Sequence, residues 1–240
     1  MIRKIGIGVL SLLVLAALIL LAWYQIDGQP LPETDQFMTG DGYTVTESED
    51  GGFVFSPDAS NGHGLLIMHG ALIKPKSYVK TAAFFAQRGY TVLVPSGAAR
   101  LSIMAVDGAA EHMKEFEVQD WFFIGHSMGG FSTLTLISRH QPNVRAVALW
   151  ASSQPSDFSD LDFPILFLWG DNDGLLSAER LAEGKPNLPA TVEYVTLSGG
   201  NHQDFAMYSH QFFDNEGLVG WQAQIDLANE TTAKFFAENY

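Results

Sequence analysis

The chain has 240 residues, of which 47% are hydrophobic, so it is long enough for one large hydrophobic core but short for two separate domains. Its formal net charge of −14 leaves no basic surface that could neutralise phosphates, which argues against a nucleic-acid partner. Cysteine is absent, and this excludes a disulfide framework, a thiolate metal site and a cysteine nucleophile.

The N-terminal segment is long and apolar. Residues 5–24 carry no charge, and as a helix they would span about 30 Å, the thickness of the hydrocarbon layer of a bilayer. Arg3 and Lys4 precede the segment and acidic residues follow it, so the positive-inside rule puts the N-terminus in the cytoplasm. We therefore expect residues 1–26 to be a transmembrane anchor and the following domain to be extracytoplasmic. The alternative is a cleaved signal peptide, which would leave a secreted or periplasmic protein.

The next segment marks the start of the domain. Residues 27–40 contain Pro30 and Pro32 and are expected to be a short tether, so that the domain covers residues 41–240. Two β-rich pieces, residues 43–46 and 53–55, are joined by a loop that contains two glycines. This pattern predicts an antiparallel hairpin.

From residue 64 onward, short apolar runs alternate with amphipathic stretches. Runs that are apolar on both faces are typical of buried parallel strands, and the amphipathic stretches are typical of helices that cover them. The predicted strands are residues 64–68, 90–94, 121–124, 144–150, 164–169 and 192–197. The predicted helices are residues 77–88, 109–116, 130–140, 177–183 and 222–238. The sequence therefore predicts an α/β domain with a mostly parallel sheet and helices on both faces.

A G-x-S-x-G motif, residues 125–129, lies between a predicted strand and a predicted helix. A strand that turns directly into a helix holds the central serine on a strained elbow, with its hydroxyl exposed at the carboxyl edge of the sheet. Ser127 is therefore the candidate nucleophile. The glycines on either side suit a turn that is too tight for β-carbons.

A serine hydroxyl becomes a good nucleophile only when a base takes its proton and an acid orients that base. Asp173 follows one predicted strand and His202 follows the next. Because the carboxyl ends of parallel strands meet at one edge of a sheet, both side chains should lie near Ser127. We therefore predict Ser127, Asp173 and His202 as the catalytic residues.

Other residues compete for these roles. Asp171 is interpreted as a turn or capping residue, and His210 is the main rival to His202 as the base. His126 lies inside the elbow and cannot easily reach the hydroxyl of Ser127. His63, His112 and His140 are expected on the surface. A calcium loop is rejected, because a count from Trp169 places tryptophan and arginine where carboxylates are needed.

The developing oxyanion needs hydrogen-bond donors. The backbone N–H of Met128, the residue after the nucleophile, is the first candidate. The second should come from the loop after the strand of residues 64–68, where Ala71 is the best placed.

Taken together, these motifs resemble the α/β-hydrolase superfamily, and within it the small bacterial "alpha/beta hydrolase fold-5" family. The similarity runs from about residue 62 to about residue 237. The matching residues are His69, Gly70, Ala71, Pro75, Tyr78, residues 125–130, Gly170, Asp173, Gly174, Gly199, Gly200, Asn201, His202 and Phe205. The resemblance implies an α/β-hydrolase fold, hydrolase activity and a triad of Ser127, Asp173 and His202. It implies no particular substrate.

Larger relatives of this kind carry a lid domain after the strand that here ends near Ser152. Only eleven residues separate Ser152 from Pro164, the start of the next predicted strand, so no lid domain is expected. Short loops must form the walls of the site. Ala71 and Leu72 stand where lipase-type relatives have a glycine-rich oxyanion loop, which argues against a lipase.

The expected function is a serine hydrolase that cleaves an ester or related acyl compound through an acyl-enzyme, without a metal or organic cofactor. Its expected partners are a small-molecule acyl substrate and, through the N-terminal helix, a membrane. One alternative is a non-catalytic binding protein of the cell envelope with the same fold. Another is an acyltransferase that passes the acyl group to an acceptor other than water. The oligomeric state, and the choice among ester, amide and thioester, stay open.

Overall fold

The computed structural model describes residues 2–240, except for the side chains of residues 2–11, 17 and 20. Within this part the strands are β1 (Tyr43–Glu47), β2 (Phe53–Pro57), β3 (His63–Met68), β4 (Thr91–Val94), β5 (Asp120–His126), β6 (Val144–Trp150), β7 (Ile165–Gly170) and β8 (Glu193–Leu197). They form one sheet in the order β1-β2-β4-β3-β5-β6-β7-β8. The predicted hairpin is β1 and β2, β2 pairs antiparallel with β4, and all later pairings are parallel. The prediction of a mostly parallel sheet is confirmed.

The helices of the same part of the chain are α1 (Ile2–Ile26), α2 (Val79–Ala86), α3 (Val106–Met113), α4 (Met128–His140), α5 (Ala178–Gly184) and α6 (Trp221–Glu238). The predicted helices of the domain are present, with shifted ends. α2 begins two residues later than predicted because Pro75–Tyr78 forms a 3₁₀ turn that begins with proline. α4 begins two residues earlier than predicted because only Ser127 separates it from β5.

Strand β3 shows how the sheet divides the core. Leu65 and Ile67 belong to a cluster on one face together with residues of α2 and α6. Leu66 and Met68 belong to a second cluster together with residues of α3 and α4. Every residue of β3 is buried, as expected for a parallel strand that is covered on both faces. The prediction of helices on both faces is therefore confirmed.

Because β3 to β8 are parallel, their carboxyl ends lie at one edge of the sheet, which we call the carboxyl edge. No lid of regular structure covers it between β6 and β7, since residues 151–164 contain neither a helix nor a strand. The edge is instead surrounded by loops. The longest of these, residues 206–220, lies between the 3₁₀ turn Gln203–Phe205 and α6.

The predicted transmembrane anchor is not confirmed. Within the residues that the structure describes, no helix combines the length and the apolar composition needed to cross a membrane. Residues 5–11, 17 and 20 of the predicted segment lie outside the described side chains.

The segment after α1 lies against the domain. The buried carboxylate of Asp27 accepts hydrogen bonds from Trp23 Nε1 at 3.1 Å and from the backbone N–H of Phe212 at 3.2 Å. Further along, Pro30 forms a β-bridge with Tyr208. These contacts join the end of α1 to the loop that follows β8 at the carboxyl edge.

The expectation that His63 lies on the surface is wrong. Its side chain is buried at the start of β3, and Nδ1 is hydrogen-bonded to the carboxylate of Asp120 at the start of β5. The rings of Tyr90, Phe122 and Tyr240 surround it. A polar side chain can be buried in this way when a charged partner satisfies it.

Candidate active site

Ser127 is the single residue between β5 and α4. Its backbone has φ 54° and ψ −123°, a conformation that a residue with a β-carbon adopts only under strain. Hydrogen bonds hold it there: its N–H donates to the carbonyl of Trp150 at 2.8 Å, and its carbonyl accepts from Ser152 Oγ at 2.6 Å. The predicted elbow between strand and helix is therefore present, and Ser127 at its tip is partly exposed.

The glycines of the motif let the elbow pack closely. A β-carbon on Gly125 would lie 2.5 Å from Gly130 Cα, and one on Gly129 would lie 1.9 Å from the carbonyl oxygen of Met68. Both distances are far below van der Waals contact. The first turn of α4 therefore lies directly against the end of β3.

Asp173 and His202 contact each other at the carboxyl edge. Asp173 Oδ2 accepts a hydrogen bond from His202 Nδ1 at 2.8 Å, and both side chains are buried. Asp173 Oδ1 accepts from the backbone N–H groups of Leu175 and Leu176 at 2.8 and 2.6 Å. A carboxylate only accepts, so His202 carries its proton on Nδ1 and presents the lone pair of Nε2.

The ring of His202 lies next to the elbow. Its centroid is 4.9 Å from that of His126, the residue before Ser127. Among the residues that the structure describes, no hydrogen bond joins Ser127 Oγ to His202. The structure thus brings Asp173 and His202 into contact beside Ser127, without the third link of a triad.

The rival residues make other contacts. The carboxylate of Asp171 accepts from the N–H of Gly199 at 2.6 Å and so joins two turns, as expected for a turn residue. His210 pairs through Nδ1 with Asp27 at 3.2 Å. Among the residues that the structure describes, neither forms a hydrogen bond with Asp173 or His202.

The loop after β3 lies beside Ser127. A β-carbon on Gly70 would lie 3.5 Å from Ser127 Cβ, so Ala71, the next residue, begins close to the elbow. Within the described chain, neither the N–H of Ala71 nor that of Met128 donates to a backbone or side-chain acceptor. Two unused donors near a serine are suited to an oxyanion.

Two buried histidines flank the site. Burial lowers the pKa of His69 to about 4. Burial, and next the nearby His202, hold the pKa of His126 well below its usual value. Both rings are therefore neutral at pH 7. The sequence places them beside the loop and the elbow, but the contacts of His69 with Gly97 and of His126 with Tyr78 and His202 join distant segments and could not be predicted.

The aromatic residues after β8 have different environments. Phe205 is fully buried and packs on His126 and Trp150, with ring centroids 5.6 and 5.7 Å apart. Tyr208 is also buried, so both side chains belong to the packed core. Phe213 is 80% exposed, and its ring contacts Trp23 near the end of α1.

The residues that the structure describes contain no cluster of three or more histidines and carboxylates suited to a metal ion.

Solved structures with a similar fold are esterases and hydrolases. An esterase of Pyrococcus furiosus has 12% identity and a TM-score of 0.60, with 85% of this chain and 93% of that chain covered. A lidless a/b serine hydrolase of Xanthomonas campestris has 14% identity and a TM-score of 0.55, with 82% and 96% covered. An esterase of Exiguobacterium antarcticum has 11% identity and a TM-score of 0.56, with 81% and 99% covered. At these identities the likeness shows the fold alone.

Comparison with curated sequences finds no match. A family model described as "Alpha/beta hydrolase family" matches residues 64–226, which is more than half of the chain. The matched region extends from β3 into α6 and includes the elbow, the loop after β3, Asp173 and His202. The chain therefore belongs to the alpha/beta hydrolase family.

Proposed function

We propose that this chain is a serine hydrolase that cleaves an ester or a related acyl substrate through a covalent intermediate on Ser127. The observation that carries the proposal is the buried hydrogen bond between Asp173 and His202, at the edge of the sheet where the strained Ser127 lies. A carboxylate that orients an imidazole next to a serine is the arrangement that activates a serine nucleophile. The esterases among the structures with this fold are consistent with it.

In the proposed reaction, Nε2 of His202 takes the proton of Ser127 as Oγ attacks the substrate carbonyl. Asp173 holds the ring through Nδ1–H and stabilises the imidazolium that forms. The imidazolium then gives its proton to the leaving group, and the acyl-enzyme remains. Water attacks the acyl-enzyme by the same route and releases the acid.

The N–H groups of Met128 and Ala71 are proposed to bind the oxyanion. One such donor contributes about 10²–10³ to kcat in enzymes of this kind. Both groups are free of partners within the described chain, and the Gly70 backbone lies close to Ser127.

The bond between Ser127 and His202 is expected to form with substrate. Catalytic hydrogen bonds are often long or absent in unbound enzymes and tighten in the complex. The ring of His202 already contacts His126, the residue that precedes Ser127 in the chain. A bound acyl group next to Ser127 Oγ would favour the rotamer that points at Nε2.

The lack of regular structure in residues 151–164 favours a substrate that enters from an open edge. Passing the acyl group to an alcohol or amine instead of water would use the same acyl-enzyme, so acyl transfer is the nearest alternative. A non-catalytic binding protein of the cell envelope is the alternative from another class.

We also propose that residues 1–26 attach the domain to a membrane, with the domain on the extracytoplasmic side. The uncharged segment of residues 5–24 and the preceding Arg3 and Lys4 support this. If the segment is cleaved instead, the protein would be secreted or periplasmic. Retention of the full-length chain in membranes after an alkaline carbonate wash would support the anchor, and its release would contradict it.

Covalent labelling with a fluorophosphonate tests the catalytic proposal, because this probe reacts with an activated serine. The wild-type chain should be labelled and should hydrolyse p-nitrophenyl acetate, and Ser127→Ala should do neither. Ser153→Ala, which removes the hydroxyl of a neighbouring exposed serine, is the control and should be labelled like the wild type. A binding protein would stay unlabelled, and equal labelling of Ser127→Ala would reject Ser127 as the nucleophile.

A further inference from the structure

Tyr78 connects the loop after β3, which carries Ala71, to the strand end that precedes Ser127. Its side chain is buried at the end of the 3₁₀ turn that precedes α2. Its hydroxyl oxygen accepts a hydrogen bond from the N–H of Gly70 at 2.9 Å and lies 2.7 Å from Nδ1 of His126. Tyr78 therefore touches the loop after β3 and the residue before Ser127 at the same time.

The direction of every hydrogen bond in this connection follows from the groups involved. The N–H of Gly70 can only donate, so the hydroxyl of Tyr78 accepts there and uses its own proton toward His126. Nδ1 of His126 must then be the unprotonated nitrogen. The proton of the neutral ring is on Nε2.

That proton reaches the proposed base. Nε2 of His126 lies 3.1 Å from the backbone carbonyl oxygen of His202, an obligatory acceptor. The two rings also contact each other, with centroids 4.9 Å apart. One continuous set of hydrogen bonds thus runs from Gly70 through Tyr78 and His126 to the main chain of His202.

His69 completes the set on the other side of Gly70. Its Nε2 accepts from the N–H of Gly97 at 3.3 Å, so its Nδ1 carries the proton that is donated to the carbonyl of Gly70 at 2.8 Å. This carbonyl belongs to the same planar peptide unit as the N–H of Ala71, and in a trans peptide the two groups point in opposite directions. Holding the carbonyl of Gly70 therefore sets the direction of the proposed oxyanion donor.

We propose that His69, Tyr78 and His126 form a positioning bridge that fixes the Ala71 N–H relative to the imidazole of His202. The inference rests on the hydrolase function proposed above and adds three residues that do not touch substrate. The two groups that the bridge joins come from the loops after β3 and β8, which are separated in the sheet by β5, β6 and β7. The pairing of the strands does not fix the position of the Ala71 N–H relative to the imidazole of His202, because both groups are on loops. A direct link between those loops would therefore help to hold the two groups in place for catalysis.

All three side chains of the bridge are buried, with 0–1% exposure. A buried hydrogen-bonded set without a missing partner is rigid, because each broken bond would leave an unsatisfied polar group. Rigid support of this kind is what holds catalytic groups in their productive geometry.

Tyr78→Phe removes one hydroxyl from the bridge and leaves the ring. In the full-length chain, kcat for p-nitrophenyl acetate should fall at least about tenfold while KM changes less than about twofold, because the loss affects the transition state. Tyr90→Phe is the matched control. Tyr90 is also buried, its hydroxyl bonds to Tyr240 at 2.5 Å, and its ring packs near His63 at the opposite edge of the sheet. The kcat of Tyr90→Phe should equal that of the wild type.

A second pair of variants tests the other end of the bridge. In His126→Gln the amide nitrogen reaches toward the position of Nε2 and can still donate to the carbonyl of His202. In His126→Asn the shorter amide cannot. His126→Gln should therefore keep more of the wild-type kcat than His126→Asn, and Tyr78→Phe should add little to the loss in His126→Asn if both residues act as one unit.

The results separate the inference from the function on which it rests. Equal kcat and KM in Tyr78→Phe and Tyr90→Phe, with an active wild type, would overturn the bridge. If Tyr78→Phe does not fold, equal kcat in the two His126 variants would do the same. An inert wild type would overturn the proposed function, and the inference with it.

Discussion

Asp173 and His202 are 29 residues apart in the chain, yet Oδ2 of the aspartate and Nδ1 of the histidine lie 2.8 Å apart. Their contact follows from the sheet: β7 and β8 are parallel neighbours, and each residue lies shortly after the end of its strand. A further close contact brings these ends together, since a β-carbon on Gly170 would lie 2.3 Å from the carbonyl of Gly200. The geometry fixes the tautomer of His202 before any substrate arrives.

Asp173→Asn tests the role of that tautomer. An asparagine in the same position can offer an N–H to Nδ1, which would move the histidine proton to Nε2, where it cannot serve as a base. We expect kcat for p-nitrophenyl acetate to fall by about 10³–10⁴, as in other enzymes with this arrangement. The control is Asp171→Asn, which changes an exposed carboxylate in the same loop and should keep kcat within about twofold. A small loss in Asp173→Asn would point to a different acid.

The buried histidines predict how stability depends on pH. Burial lowers the pKa of His69 to about 4, below the value of about 6.5 in the unfolded chain, so the unfolded state binds the proton first. This contribution to stability is present above pH 6.5 and is lost as the pH falls toward 4. From the size of the shift, His69 alone should lower the free energy of unfolding by about 3 kcal/mol between pH 7 and pH 4. The pKa of His126 is also lowered, so it acts in the same direction.

Urea unfolding of wild type and His69→Gln at both pH values measures the effect of His69. Whatever the stability of the variant at pH 7, its loss of stability on acidification should be smaller than that of the wild type. His112→Gln, which changes a half-buried histidine of α3 far along the chain from His69, should follow the wild type. An identical loss in wild type and His69→Gln would contradict the expectation.

Structural features that depend on neighbouring residues could be predicted from the sequence, whereas contacts between distant segments could not. The buried strands were predictable because each is a short apolar run with buried residues on both faces, as β3 and β5 show. The elbow at Ser127 was predictable because its motif lies between such a run and a helix. The contact of Asp173 with His202 was expected only because parallel strands align their ends.

The remaining features depend on contacts between distant segments. His63 was expected on the surface because a histidine at a strand start gives no sign of Asp120, which lies 57 residues further along the chain. The same holds for Tyr78 and His126, which are 48 residues apart. Tyr78 could be recognised as a match to the family, but its hydrogen bonds required coordinates. Single polar pairs leave no periodic pattern in a sequence, whereas strands and helices do.

Asp204 is expected to destabilise the folded protein at neutral pH. Burial, and next the charge of Asp214, raise its pKa to about 6 from a usual value of 3.8. Because the folded pKa is the higher one, the penalty is full above pH 6 and disappears below about pH 4, where both states are protonated. Asp204→Asn should therefore raise the free energy of unfolding by about 1 kcal/mol at pH 7, a value reduced for screening by solvent.

Urea unfolding of Asp204→Asn at pH 7 and pH 4 gives the test. The gain over wild type should be present at pH 7 and absent at pH 4. Asp160→Asn removes an exposed carboxylate and should change stability by less than about 0.5 kcal/mol at either pH. A gain in Asp204→Asn that is equal at both pH values would rule out the raised pKa as its cause.

Two glycines give opposite predictions for the same substitution. In Gly129→Ala the new β-carbon would lie 1.9 Å from the backbone carbonyl oxygen of Met68. The backbone fixes the positions of both atoms, so no side-chain rotation can separate them. We expect the first turn of α4 to move away from β3, the free energy of unfolding to fall by about 1–3 kcal/mol, and fluorophosphonate labelling of Ser127 to slow.

In Gly108→Ala, within α3, the new β-carbon meets nothing within 4 Å. Stability there should rise by about 0.5–1 kcal/mol, because alanine favours a helix over glycine. Urea unfolding and labelling rates of the two variants measure both effects, and a Gly129→Ala protein as stable and as reactive as wild type would show that the elbow does not need this close packing.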